Sequence, residues 1–166
     1  MSIKLVIGDV LESKETWLVH QCNCVTRKGK GLSEAVFKKY PYANVYKNRE
    51  DPSRPGLTLF RGKMRNGERL VANLMSQFHP GKASNRKTPD RKLDTEVQRL
   101  VWFTKCLSQI AAKADKYFHL ERSVAVPFGI GCGLAGGDWM EYQRALKKFS
   151  EEHGFMVVVY KLDNVA

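Results

Sequence analysis

Two hydrophobic periods alternate along the chain, and the switches between them mark the elements. Ile3–Ile7 is a short β-rich run closed by Gly8-Asp9, and Trp17–Gln21 is a second that turns polar at His20. The basic loop Thr26–Gly31 leads into an amphipathic helix with Leu32, Ala35 and Val36 on one side, running to about Tyr40. Pro41 ends that helix or starts the next, since proline fits a first helical turn, and Tyr42–Arg49 reads as helical. Asp51–Gly56 is a loop on its turn chemistry. Leu57–Arg61 and Leu70–Leu74 read as two strands joined across Asn66-Gly67, the strongest hairpin signal in the chain. Phe78–Pro89 has no period, and a connection of that length suggests a functional lid. From Asp94, Val97, Leu100, Val101, Leu107, Ile110 and Ala114 recur at three- and four-residue spacing, which predicts a helix to about Lys116. Ser123–Pro127 reads as a strand. Trp139, Tyr142, Leu146 and Phe149 mark a helix ended by His153-Gly154, and Phe155–Tyr160 reads as a strand buried on both faces.

Strands alternating with helices predict a three-layer α/β domain, with the hairpin making the sheet mixed. A chain of 166 residues fits one such domain. Ligands of open α/β sheets sit outside the strands' carboxyl ends, where the loops after Gln21 and after Pro127 both lie. The first loop offers backbone amides and a helix N-terminus, which favour phosphate. It lacks the spacing of a P-loop and of the dinucleotide fingerprint. The second, Phe128–Asp138, carries glycine at 129, 131, 133, 136 and 137. That density suggests backbone wrapped closely on a ligand, with a tight strand-to-helix connection as the plainer alternative.

Charge narrows the ligand class. The net charge of +11, concentrated in Arg61–Arg69 and Lys82–Lys92, points to a polyanion; simple solubility is the alternative. A nucleotide-sized phosphate ligand ranks above general nucleic-acid binding, because no nucleic-acid motif accompanies the charge. Four cysteines without a secreted-type framework suggest reduced thiols. No apolar run is long enough to span a membrane, and Met1–Ile7 has no signal-peptide pattern, so an intracellular protein, cytoplasmic or nuclear, is expected.

The motifs together resemble a macrodomain: GDV at Gly8–Val10, VHQCNC at Val19–Cys24, KGKGL at Lys28–Leu32, GIGCGLAGGDW at Gly129–Trp139, and the terminal apolar strand. The resemblance implies a three-layer α/β/α sandwich with a mixed sheet of about six strands, and ADP-ribose held across the strand ends. It assigns Asp9, with Val10 beside it, to the adenine end and Asn23 to the distal ribose. Gly29, Gly31, Leu32, Gly129, Ile130, Gly131, Cys132, Gly133 and Leu134 fall to the ribose and diphosphate. Within the family, the histidine before CNC is similar to yeast-type ADP-ribose 1″-phosphate phosphatases, and GIGCGL resembles the terminal ADP-ribose protein glycohydrolase group. The branch with an Asn-Ala-Ala-Asn motif would have asparagine at His20. The glycohydrolase group would have aspartate at Ala135, and its lysine nucleophile corresponds only loosely to Lys82.

The resemblance thus implies a hydrolase acting at the anomeric carbon of the distal ribose, releasing phosphate, an acyl group or a protein carboxylate. Its partner would be ADP-ribose or a derivative, free or carried on protein or nucleic acid, with no metal or redox cofactor and a monomeric chain. A non-catalytic ADP-ribose reader and a basic poly(ADP-ribose) or nucleic-acid binder are the alternatives. His20, Asn23 and Asp138 are the candidate catalytic residues: His20 or Asp138 to activate water, Asn23 to place it. Each has a plainer reading, respectively a hydrogen-bonded core histidine, an Asx-turn residue and a helix N-cap. Cys132 reads as a core-pointing thiol whose amide faces the ligand, and His20, Cys22 and Cys24 are spaced too tightly for a zinc pair. Lys82, Arg86, Lys87, Arg91 and Lys92 are a diphosphate clamp or a solvated face.

Overall fold

The computed structural model describes residues 3–163. Six strands, β1 (Ile3–Ile7), β2 (Trp17–Gln21), β3 (Thr58–Arg61), β4 (Val71–Leu74), β5 (Ser123–Pro127) and β6 (Met156–Lys161), form one sheet in the order β1-β6-β5-β2-β4-β3. Every neighbouring pair is parallel except β3–β4. The sheet is therefore mixed, as the hairpin signal implies. The turn differs from a two-residue Asn-Gly connection: a 3-10 turn at Met64–Asn66 precedes left-handed Gly67, and the ladder resumes at Val71.

Alternation along the strands sorts the core into two layers. Trp17, Val19, Ala72, Leu74, Val124, Val126, Val157 and Val159 pack on one face with helices α2 (Glu96–Ala114) and α3 (Trp139–His153). Leu18, Val71 and Ala125 turn to the other face, against Val36 and Phe37 of helix α1 (Leu32–Lys39). The result is a three-layer α/β/α sandwich. Among the described residues no helix is long and apolar enough to cross a membrane.

Two elements depart from the sequence pattern. Tyr42–Arg49 is not helical: a 3-10 turn at Pro41–Ala43 gives way to bends. Asn44 accounts for this, because its Oδ1 accepts from the amides of Tyr46 and Lys47, giving the backbone a local alternative to a helix. In α2 the buried stripe is Arg99, Trp102, Phe103, Cys106, Leu107, Ile110 and Ala114, whereas Val97 and Val101 face solvent at 76% and 54% exposure. The true stripe admits a charged residue, which a purely apolar pattern passes over.

This face assignment is testable by chemical denaturation. Val101→Glu is expected to stay within about 0.5 kcal/mol of wild type. Phe103→Ala, fully buried, is expected to cost about 3–5 kcal/mol. Equal losses would place the helix in the wrong rotation.

Candidate functional site

The loops after β2 and β5 rise side by side, because those strands are hydrogen-bonded neighbours running in parallel. Between them lies a cleft of about 890 Å³, floored by His20 and Gln21 and walled by residues 26–33 and 127–135. Asn23, Tyr46, Gln77, Pro80 and Gly81 complete its lining. Arg27, Lys28 and Lys30 line it, and no Asp or Glu does among the described residues. A concave site with three cations and no carboxylate selects an anion.

The backbone reinforces that selection. Gly31, the N-cap of α1, sits at φ 62° and ψ −128°, and no side chain caps the helix. Ala35 is the first residue to donate back to Gly31 O, so the amides of Leu32, Ser33 and Glu34 lack intrahelical acceptors. Across the cleft, the Gly129–Ala135 turn ties itself down through Ile130, Cys132, Gly136 and Gly137. Among the described residues, the amides of Gly131, Gly133 and Leu134 donate to no protein acceptor. The glycines are not equivalent. A Cβ at Gly131 would meet the Tyr142 ring at 2.5 Å, and one at Gly29 the Glu34 amide nitrogen at 2.7 Å, so both serve packing. A Cβ at Gly133 would meet nothing within 4 Å.

The three candidate catalytic residues fare differently. His20 is buried at 1% exposure, and its Nε2 lies 2.5 Å from Asn73 Oδ1. Asn73 Nδ2 donates to Leu59 O and Ala43 O, which fixes the amide's orientation and makes Nε2–H the donor. Nδ1 is then the ring's acceptor, with Cys22 Sγ 3.8 Å away. Burial lowers the His20 pKa to about 4, only partly opposed by the Asn73 bond, so the ring is neutral at pH 7. Asn23 lines the cleft, yet its Oδ1 accepts from the amides of Val25 and Thr26 in an Asx turn, and its own N–H donates to Tyr46 Oη at 2.8 Å. Asp138 caps α3, accepting from Met140 N at 3.0 Å, and is not among the cleft-lining residues.

Asp9 and Val10 also lie off the cleft lining. Asp9 is exposed and accepts from Leu11 N at 2.9 Å, while the Val10 side chain is buried. Gly29, Gly31, Leu32 and Gly129–Leu134 all line the cleft. Cys132 is half-buried, with its thiol pushed up to about 11 by burial. Of the basic loop only Pro80 and Gly81 reach the lining; Lys82, Arg86, Lys87, Arg91 and Lys92 are exposed, with the Lys82 stem lying against Gly136. Among the described residues no three His, Cys, Asp or Glu side chains converge as a metal cluster would.

Several residues that shape the cleft were given no role by the motifs. Phe128, 40% exposed, packs on Trp139 at 5.0 Å and presents a ring to the cleft, with Lys161 Nζ 4.7 Å from its centroid. Gln21 Nε2 donates to Gln77 Oε1 at 2.7 Å, and Ser76 Oγ donates to Gln21 Oε1 at 2.7 Å, which fastens the β2 and β4 ends together. Arg99 matters most for shape. Its guanidinium grips Asp94 through Nε (2.6 Å) and Nη2 (2.8 Å). It also donates to the carbonyls of His79, Gly81 and Ala135, tying the lid loop to the glycine loop. A lone arginine on a buried helical stripe, at spacings of four, three, four and four through 103, 106, 110 and 114, was the available signal.

No protein-family model matches the chain, and no curated protein sequence does. Solved structures do resemble it. A Bacteroides thetaiotaomicron protein of unknown function superposes with a TM-score of 0.69 at 26% identity, over 98% of this chain and 99% of that one. The macrodomain of Thermus aquaticus DarG matches at 0.66 and 21%, covering 96% and 97% of the two chains. A Trypanosoma brucei macrodomain solved in complex with ADP-ribose matches at 0.61 and 19%, covering 97% of this chain and 64% of that one. The likeness to the named macrodomains is one of fold: this chain has a macrodomain-like fold.

The buried charges give two predictions. Arg99→Ala strands Asp94 and is expected to cost about 3–5 kcal/mol in chemical denaturation, while Arg99→Met with Asp94→Leu recovers most of that loss; additive losses would dismiss the pair as a unit. For His20 the folded pKa lies below the unfolded value, so stability is complete above about pH 6.5 and falls as pH drops toward 4. From pH 7 to 5 the loss is expected to be about 2 kcal/mol. His20→Gln removes that component from the pH-dependent denaturation curve; an unchanged pH dependence would assign it to other groups.

Proposed function

We propose that the cleft binds ADP-ribose, or a derivative substituted at its distal ribose, and hydrolyses that substituent from the anomeric carbon. The observation that carries the reading is the convergence of two amide-rich loops and three cations, with no carboxylate, on one cleft at the strand ends. Amides of Leu32, Ser33, Gly131, Gly133 and Leu134 hold the diphosphate, supplying orientation and charge stabilisation. The adenine lies toward Phe128, whose exposed ring offers a stacking surface, with Asp9 as acceptor for its amino group. The distal ribose lies over Asn23 and His20, and the bound ADP-ribose of the similarly folded Trypanosoma brucei macrodomain supports this class of ligand.

In the chemical step, water adds to the anomeric carbon as its bond to the leaving oxygen breaks, and the proton the water gives up passes to the departing oxygen or to solvent. His20 Nδ1 accepts a hydrogen bond from that water, and Asn23, set by its Asx turn and by Tyr46, fixes the floor on which it sits. A ring of pKa about 4 is a weak base, so His20 contributes placement more than proton removal. Asp138 enters as a base only if ligand binding draws its carboxylate from the Met140 amide.

A second reading, recognition of ADP-ribose without turnover, is favoured by the lack of a carboxylate in the lining. One set of measurements separates them. Purified protein is incubated with ADP-ribose 1″-phosphate and with glutamate-linked ADP-ribose, and released ADP-ribose is followed. Release that falls about 10-fold or more in His20→Ala, with ADP-ribose affinity kept in calorimetry, supports the hydrolase. Tight binding without release from either substrate makes the chain a reader. Gly133→Val, which fills open space, is expected to weaken ADP-ribose binding about 10-fold or more at unchanged melting temperature; unaltered affinity would remove this loop from the ligand.

A further inference from the structure

The opposite end of the sheet carries a second groove, of about 420 Å³. Trp17 stands at the amino end of β2 and Leu70 just before β4, so the groove lies a strand's length, about 16 Å, from the cleft. One wall is the β3–β4 connection, with Arg61, Lys63 and Arg65. The other is the last turn of α2 and the segment leaving it, with Lys113 and Tyr117.

Its chemistry is distinctive in two respects. Among the described residues none of those four cations makes an ion pair, and no carboxylate lines the groove. Four like charges around one hollow repel unless a polyanion occupies it. Aromatic faces are interleaved with the charges. Lys113 Nζ lies 5.2 Å from the Phe60 ring centroid and 5.8 Å from that of Tyr117. Tyr117 is 38% exposed; Phe118, just outside the lining and 6.1 Å ring to ring from His119 within it, presents 92% of its surface to solvent.

We propose that this groove binds single-stranded nucleic acid, one nucleotide seated between the walls, its own phosphate and those of the flanking nucleotides on the four cations and a base on the exposed rings. Each unit of a single strand supplies one phosphate and one unstacked base, matching the interleaved cations and rings. Duplex bases are stacked and paired, and an acidic peptide matches the charges but leaves the rings bare. A volume of 420 Å³ holds roughly one nucleotide, so the walls follow the backbone without reading sequence. The site is independent of the cleft and of what the cleft does.

The test is fluorescence anisotropy of a labelled, mixed-sequence single-stranded DNA 12-mer with the full chain across a salt series. Three or four phosphate contacts give a slope of log affinity on log salt of about −2 to −3. Lys113→Glu and Arg65→Glu are each expected to weaken binding about 10-fold or more and to flatten that slope. Phe118→Ala is expected to weaken it about 5-fold or more with the slope unchanged, and saturating ADP-ribose to leave it intact. Arg65 and Phe118 are exposed, so their variants report even if Lys113→Glu perturbs the fold. The proposal is overturned if wild type does not bind at about 50 mM salt. It is equally overturned if Lys87→Glu with Arg91→Glu abolishes binding while the groove variants keep it. Full competition by poly-glutamate with Phe118→Ala indifferent would assign the groove to an acidic protein segment.

Discussion

Arg99 carries a full positive charge at 2% exposure, and the shape of the cleft depends on how that charge is compensated. Desolvating a guanidinium is costly unless a carboxylate and further acceptors replace the water it loses. Asp94 supplies the carboxylate at 0% exposure, and three loop carbonyls supply the rest. The buried charge needs those carbonyls, and the lid loop holding two of them is steadied as well by Gln77 Nε2, which donates to the His79 and Gly81 carbonyls. Asp94 extends the tie by accepting from His79 N, so one ion pair sets the height of the lid loop over the glycine turn. A helix built for the core therefore also shapes the ligand cleft.

The cleft and its floor divide the electrostatics. At the rim, cations stand in water, where they attract an anion at long range and are screened by salt. Below them sit backbone amides, fixed in direction and uncharged, suited to short-range grip on oxygen. At the floor His20 is kept neutral by burial, so the deepest part of the cleft adds no positive charge. Its hydrogen-bond polarity is fixed from behind, because Asn73 is itself held by two carbonyls and presents only its oxygen. That chain of bonds runs from the β3 backbone to the cleft floor and specifies a tautomer without any charge.

Most of this fold was legible in the sequence because the central strands β2, β4 and β5 bury both faces, and α2 and α3 carry side-chain caps where the pattern changes. Ser123–Pro127 and Trp17–Gln21 are read to the residue, since alternate positions feed two different cores and leave no freedom of register. The glycine-rich segments were legible as loops at the strands' carboxyl ends, though not which glycines stand in open space and which pack on Tyr142, a contact that depends on α3. Tyr42–Arg49 misled because Asn44's competing turn is a side-chain effect that apolar spacing does not register. Asp94–Arg99 escaped because pattern reading treats a charge as solvent-facing. Gln21, Gln77 and Phe128 escaped because their roles come from strands and loops distant in sequence meeting at one end of the sheet.

Three of the four thiols are sealed in the core, which gives this architecture an unplanned use. Cys106 lies in the layer under α2 and α3, and Cys22 and Cys24 in the layer under α1. Burial raises all three, Cys24 and Cys106 to about 12, so within the closed fold almost no thiolate is present to react. An alkylating reagent then modifies each one only during an opening of its own layer, at a rate set by how often that layer breathes. The two faces of the sheet thus carry separate internal clocks. Whether the molecule loosens one layer at a time or both at once is written in the order in which these three are labelled.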